Sequence, residues 1–248
     1  MTGGFADHFS AQAADYARFR PHYPTELFDF LATASPARRL AWDCGTGSGQ
    51  AAIGLAAHFE RVHATDPSAG QLEHATRHER VTYSLGRESG SGLPGGSTDL
   101  VTAAQAAHWF DIERFHSECR RILAPRGVVA LWTYGKFRVD PAVDAVVDHF
   151  YSDVVGRYWP PERRHVEQGY RSLPFPWHEE SVPEFELTDD WDLEQVMGYL
   201  ATWSAVQRCQ DQSGRDPLRE LQPRLAGLWP PGGTRRLRWP IHLRLGRA

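Results

Sequence analysis

The stretch Trp42-Asp43-Cys44-Gly45-Thr46-Gly47-Ser48-Gly49 limits the fold more than any other part of the chain. A short apolar run leads into three glycines at alternate positions, and then into the Ala-rich helical sequence that begins at Gln50. Glycines let the backbone take positive φ and leave no Cβ between the turn and a ligand. A strand, tight turn and helix in this order belong to an open α/β sheet, which binds ligands outside the carboxyl ends of its strands. The flanking sequence keeps that rhythm. Strands are predicted at 39–44, 61–66, 81–85, 99–104 and 127–133, with helices at 50–58, from Ser68 through Leu72 and Ala75, and around Phe115, Cys119 and Ile122 before Pro125. Residues 90–96 are loop. Strands alternating with helices predict a parallel sheet covered on both faces.

The chemistry of the turn narrows its ligand. A dinucleotide fingerprint needs glycine where Gln50 stands, and a P-loop needs a Gly-Lys-Ser/Thr that is absent. Asp43, two residues before the first glycine, would set one anion against another if the ligand were a pyrophosphate. S-adenosylmethionine has no phosphate and carries an ammonium and a sulfonium, so an acid beside it is favourable. Asp66 ends the second strand just before Pro67, 17 residues after Gly49, where a carboxylate can accept from both hydroxyls of a ribose. A lone strand-end Asp also serves as a turn or helix cap.

Beyond Tyr134 the rhythm changes. Residues 135–180 interleave Phe137, Phe150, Tyr151, Tyr158, Trp159, Tyr170, Phe175 and Trp177 with prolines, which suits either an irregular cap over a pocket or core filler under long loops. A sixth strand at 182–187 and a helix at 193–206 follow. Leu237, Trp239, Ile241, Leu243 and Leu245 then alternate with polar residues as a final strand with one wet face. The arginines there, Arg235, Arg236, Arg238, Arg244 and Arg247, fit a polyanion partner or, more simply, the charged outer side of an edge strand. His74 and His78 are spaced to share a helical face but have no apparent third ligand, so no metal is expected. Cys44 is read as a small buried residue.

Net charge is −4, no apolar run reaches the roughly 20 residues needed to cross a bilayer, and the three cysteines imply no disulfide framework. The first residues lack the basic start and apolar stretch of a signal peptide. A cytoplasmic enzyme acting on a small molecule, as monomer or homodimer and without nucleic-acid or membrane partners, is the expectation.

Asp-x-Gly-x-Gly-x-Gly at 43–49 followed by Asp66 resembles the first two motifs of class I S-adenosylmethionine-dependent methyltransferases, and the likeness runs over residues 5–248. The segments 16–24, 104–110 and 239–244 resemble the small-molecule, type 11-like branch, some of whose members are similar to trans-aconitate methyltransferases. The resemblance implies a Rossmann-like sheet of seven strands, the last antiparallel, with helices on both faces and a small helical or irregular cap. It also implies one domain: N-terminal lid helices at 1–35, a cofactor-binding half at 38–134, a cap insertion at 135–180, and C-terminal strands and helices at 181–248. By position, it places Gly45, Thr46, Gly47 and Gly49 along the methionine and ribose path and Asp43 near the methionine amino group. Asp66 would hold the ribose, with Pro67 and Gln71 close by. Glu88-Ser89 aligns with the pair that contacts adenine in relatives, with its acid missing or displaced by one residue. Ala104 and Gln105 would border the site, and Tyr16 and Arg20 would belong to a lid, or pack on the surface beside the first helix.

Methyl transfer needs little from side chains, because the sulfonium is already a good leaving group and alignment in a dry site does most of the work. The segment from Ala104 to Trp109 leaves the fourth strand at the ligand edge, so His108 and Trp109 are the expected residues beside the transferred methyl. His108 is a candidate general base for a hydroxyl or amine acceptor, or a histidine packed at a helix start, and His22 is a second candidate base. A carboxylate acceptor would need arginines instead. The expected reaction is in-line methylation of a carboxyl, hydroxyl or amine, leaving S-adenosylhomocysteine. The rival readings are a cofactor-binding protein without catalysis, an RNA or protein methyltransferase, and an NAD(P)-dependent oxidoreductase.

Overall fold

The computed structural model describes residues 19–248. The expected lid residue Tyr16, with the rest of the implied lid up to residue 18, lies outside the described residues. Helix α1, Thr25–Ala34, buries Leu27, Phe28, Leu31 and Ala32 on one face. Strand β1, Leu40–Cys44, is buried along its whole length, as a central strand covered on both faces must be. Next come α2 (Gln50–Ala56), β2 (Arg61–Asp66), α3 (Ala69–Glu73), β3 (Val81–Leu85), β4 (Thr98–Ala104), α4 (Ile112–Ile122) and β5 (Leu123–Tyr134). The second half holds α5 (Pro141–His149), α6 (Arg163–Glu167), β6 (His178–Glu179), β7 (Phe185–Trp191), α7 (Leu193–Ala201), α8 (Ser204–Ser213), α9 (Leu218–Ala226) and β8 (Arg235–Arg247). Among the described residues no helix is long and apolar enough to cross a membrane.

The sheet runs β3-β2-β1-β4-β5-β8, parallel through β5, with β8 antiparallel to it. Both β7 and the two-residue β6 pair antiparallel with the outer edge of β8, so eight strands occupy seven ranks. The order reverses between β1 and β4. Their carboxyl ends diverge there and open a crevice.

The structure changes several local expectations. β8 is flanked on both sides and is no edge strand. Four of its five arginines meet carboxylates instead: Arg235 with Asp140, Arg236 with Asp190, Arg244 with Glu179 and Arg247 with Glu180. The helix expected at 193–206 is two, α7 and α8, broken at Thr202-Trp203. The strand expected at 182–187 is β7, Phe185–Trp191, a few residues later than expected. His74 and His78 share no helical face, because α3 ends at Glu73; His74 bonds the Gly70 carbonyl and His78 Nδ1 accepts from the Arg80 amide.

Residues 135–180 act as both core and cover. Phe137, Phe150, Tyr151 and Tyr158 join the core on one sheet face, while Tyr170, Phe175 and Trp177 pack on the other, against α4. One lock holds the second group. Trp177 Nε1 donates to His116 Nδ1 at 2.9 Å, and the other ring nitrogen of His116 reaches the Pro174 carbonyl at 2.9 Å. Only the Nε2–H tautomer satisfies both, and burial accordingly lowers the His116 pKa. Trp177→Phe deletes the donor and part of the ring, and should cost at least about 1 kcal/mol in a urea titration. An unchanged midpoint would remove this bond from the set that holds the segment down.

Candidate active site

The Gly-rich turn between β1 and α2 is fastened from below and behind. Thr65 on β2 accepts the amides of Gly45 and Thr46 at 2.8 and 3.0 Å. Asp43 is fully buried beneath the turn. Its Oδ2 accepts from the Thr46 hydroxyl at 2.6 Å and its Oδ1 from the Thr102 hydroxyl of β4 at 2.8 Å. Burial pushes its carboxyl up to about 6 against those bonds, and the nearby charge of Asp66 adds to the rise. Asp43 therefore ties β1, β4 and the turn together and does not itself line the crevice.

Gly49 starts α2 at φ +87°, where any Cβ would run into the Tyr83 ring. Gly47, at φ +55°, is different: a Cβ there would find only Gln71 Oε1 at 3.7 Å, because it faces the crevice. Bare backbone is thus presented to whatever binds. Asp66 Oδ2 accepts the Gly47 amide at 2.8 Å and Oδ1 the Ser68 amide at 2.9 Å. Ser68 in turn caps α3 by accepting the Gln71 amide.

The resulting crevice has a volume of about 810 Å³ including its mouth. Its floor and near wall are Gly45, Thr46, Gly47, Asp66, Pro67 and Gln71. Its far wall is Ala104, Gln105, Trp109 and Arg20, joined by residues that sequence reasoning did not single out, notably Tyr23, Phe110 and Tyr134. Glu88 and Ser89 stand in a turn bridged from Arg87 to Gly90 and do not line the crevice. His22 is exposed and lines neither this crevice nor the chamber beside it.

Gln105 stands at the end of β4 with φ +54°, a strained conformation for a residue with a side chain. Its amide donates to the Trp132 carbonyl and its Nε2 to the Tyr134 carbonyl at 2.8 Å, while Thr133 donates to its Oε1. These bonds to β5 hold the strain and turn the chain between two cavities.

The second cavity, about 580 Å³, shares Arg20, Gln105, Trp109 and Tyr134 with the first. Its other walls come from distant segments: His108, Trp159, Arg163 and Val166, and Tyr199 to Ser204 at the α7–α8 break. Arg20 reaches the Tyr134 hydroxyl at 3.5 Å and lies over the Tyr199 ring. His108 Nδ1 bonds the Tyr170 hydroxyl at 2.8 Å, and the Trp109 ring lies beside it, tilted by 43° with ring centres 4.9 Å apart. Burial, together with the charges of Arg163 and His165, pushes the His108 imidazole down to about 3. It is neutral, and a weak base. Two signals in the sequence pointed toward these walls: the aromatic run at 135–180, and Tyr199 with Trp203 four residues apart. Neither says that these rings would converge with Arg20.

A family model described as a methyltransferase domain matches residues 42–131, which hold the Gly-rich turn and most of the crevice wall. A Dictyostelium discoideum protein described as a methyltransferase is 33% identical over 89% of this chain and 86% of its own length. A solved structure from Anaeromyxobacter dehalogenans, described as a type II methyltransferase, is 51% identical with a TM-score of 0.87, covering 92% of this chain and 98% of that one. An Anabaena variabilis methyltransferase from an antibiotic biosynthesis pathway shares the fold at 18% identity, with a TM-score of 0.57 over 89% of this chain and 98% of that one. With its crevice at the β1–β4 switch point and relatives that match along most of its length, the chain belongs to the class I S-adenosylmethionine-dependent methyltransferases.

Proposed function

We propose that this enzyme methylates a carboxyl, hydroxyl or amine of a small molecule held in the second cavity, with S-adenosylmethionine in the crevice. The observation that carries this reading is the pair of cavities meeting across Arg20, Gln105, Trp109 and Tyr134. Donor and acceptor sites that share a wall are what a direct transfer requires. The crevice fits the cofactor on its own residues: bare backbone at Gly47, and the Asp66 carboxylate on the crevice wall at the end of β2, where it can accept from ribose hydroxyls. Gln71 and Pro67 border the ribose end, Thr46 and Gly45 the methionine path, and Arg20 the boundary with the acceptor. Bound there, S-adenosylmethionine would supply an electrophilic methyl group, with the neutral thioether as its leaving group.

The chain's own part is to align, exclude water and set charge. Trp109 walls the boundary. His108, held neutral by its surroundings, donates or accepts a hydrogen bond and is too weakly basic to take a proton from the acceptor. Asp43 acts through the turn: a cation bound above it favours the ionised carboxylate.

Three outcomes test the reading. Asp66→Ala should weaken S-adenosylhomocysteine binding in calorimetry by about 1–3 kcal/mol. Wild-type affinity in that variant would take Asp66 out of the ribose site. Because the folded pKa of His108, about 3, lies below its ordinary 6.5, its neutral form stabilises the fold above pH 6.5, and that contribution is lost as pH falls from 6.5 toward 3. Wild type should therefore lose more stability between pH 7 and 5 than His108→Asn, and kcat/KM should show no inflection near 6.5 that the variant removes. Finally, S-adenosylmethionine binding at pH 6 should release protons, read as a dependence of the calorimetric heat on buffer ionisation enthalpy. That dependence should shrink in Asp43→Asn. Equal proton release in both proteins would uncouple Asp43 from the bound cation.

A further inference from the structure

The second chamber has a distinct chemical character. Trp109, Tyr134, Trp159, Tyr199 and Trp203 give it flat aromatic walls, and its charged groups are Arg20 and Arg163 with no Asp or Glu. Aromatic faces suit a planar ligand. Guanidinium groups without acids among them favour an anion and disfavour an ammonium.

Arg163 is set apart from the cations around it. In the adjoining outer cavity, Lys136 pairs with Asp148, and Arg138 with Asp144 and Asp148. Among the described residues no carboxylate lies within ion-pair distance of Arg163. Its Nε donates to the Tyr151 hydroxyl at 2.8 Å, and its guanidinium lies over the Trp159 ring, 4.5 Å from the centre. Tyr151 donates in turn to Glu167 at 2.5 Å. The fork is thus held in place through one nitrogen while its terminal nitrogens keep their donors. Arg163 also sits at the right end of the chamber for an anchor. It is shared with the outer cavity and not with the cofactor crevice, whereas Gln105, Trp109 and Tyr134 are shared with the crevice.

We infer that the acceptor is a hydroxy-substituted aromatic carboxylate, its carboxylate bound by Arg163 and its hydroxyl on the opposite edge of the ring, beside Gln105 and Tyr134. The reacting end rests on the methyl-transfer reading above, while the anchoring end stands on the chamber alone. The hydroxyl reacts as its phenolate, having given its proton to solvent. Its oxygen forms the new C–O bond, the methyl–sulfur bond breaks with its electrons going to sulfur, and phenolate and sulfonium become ether and thioether. The bound carboxylate stays unmethylated.

The rings of Trp109, Trp159 and Trp203 make binding readable by fluorescence without any turnover. Titrating the whole protein with 4-hydroxybenzoate, 4-hydroxybenzamide and tyramine compares an anion, a neutral isostere and a cation on one ring. The carboxylate should bind about tenfold to a hundredfold tighter than the amide, as a charge-assisted bond to one guanidinium allows. Arg163→Gln should erase that difference, Arg163→Lys should keep part of it, and S-adenosylhomocysteine affinity should stay at the wild-type value in both. Equal binding of carboxylate and amide by the wild type, tightest binding by tyramine, or an unchanged carboxylate preference in Arg163→Gln would each overturn the inference. Should Arg163→Gln fail to fold, the wild-type comparison alone decides. Loss of S-adenosylhomocysteine binding in the wild type would strike the methyl-transfer reading instead, and leaves the carboxylate preference to be judged by the same titration.

Discussion

A single buried carboxylate organises the ligand edge of this sheet. Asp43 sits at the bottom of the turn with one oxygen bonded to Thr46, in the turn itself, and the other to Thr102, on the neighbouring strand. Placing an ionisable group there is unfavourable, as its raised pKa records, and two hydroxyl donors only partly offset the desolvation. What the arrangement secures is position. It joins β1 to β4 at the point where the strand order reverses, so the crevice opens at a fixed width. Asp66 completes the frame from the other side by holding the Gly47 amide, so the turn is gripped by one acid beneath and another beside it.

This half of the molecule was legible because its constraints are local. Positive φ at alternating positions demands glycine, a buried parallel strand demands an unbroken apolar run, and Ser68 caps the helix it precedes. The role of Asp43 was less legible. Spacing put an acid near the turn, but not on which side of the backbone its oxygens would find partners. Glu88-Ser89 shows the same limit, since alignment to a motif placed it beside the ligand and the turn from Arg87 to Gly90 keeps it off the crevice wall.

The second half resisted reading for physical reasons that differ from case to case. The alternation in β8 reports which face is buried, and says nothing of how many strands flank it, so an inner strand looked like an edge. The break between α7 and α8 has no Gly or Pro to announce it. It is made by tertiary packing, with Trp203 set against Phe150, Tyr151 and Trp159, and the local carbonyls taken up by the Thr202 hydroxyl and the Trp203 amide. Aromatic residues that fill the core and those that wall the chamber are the same types in the same segment. Only the fold sorts Phe137 into one set and Trp159 into the other.

The sorting leaves charge of opposite sign on the two sides of one boundary. Acids lie under and beside the crevice, at Asp43 and Asp66, while Arg163 lines the far end of the chamber and Arg20 stands on the wall the two cavities share. Between them stand Gln105, Trp109 and Tyr134, uncharged and fixed by β5 and by ring contact. A cation is therefore favoured on one side and an anion on the other, each by groups already in place before anything binds. Reaction between a bound cation and a bound anion would remove both charges, and exclusion of water by the ligands themselves would favour it over the same reaction in solution. His108, kept neutral by burial and the neighbouring Arg163, adds no charge to either side of that boundary.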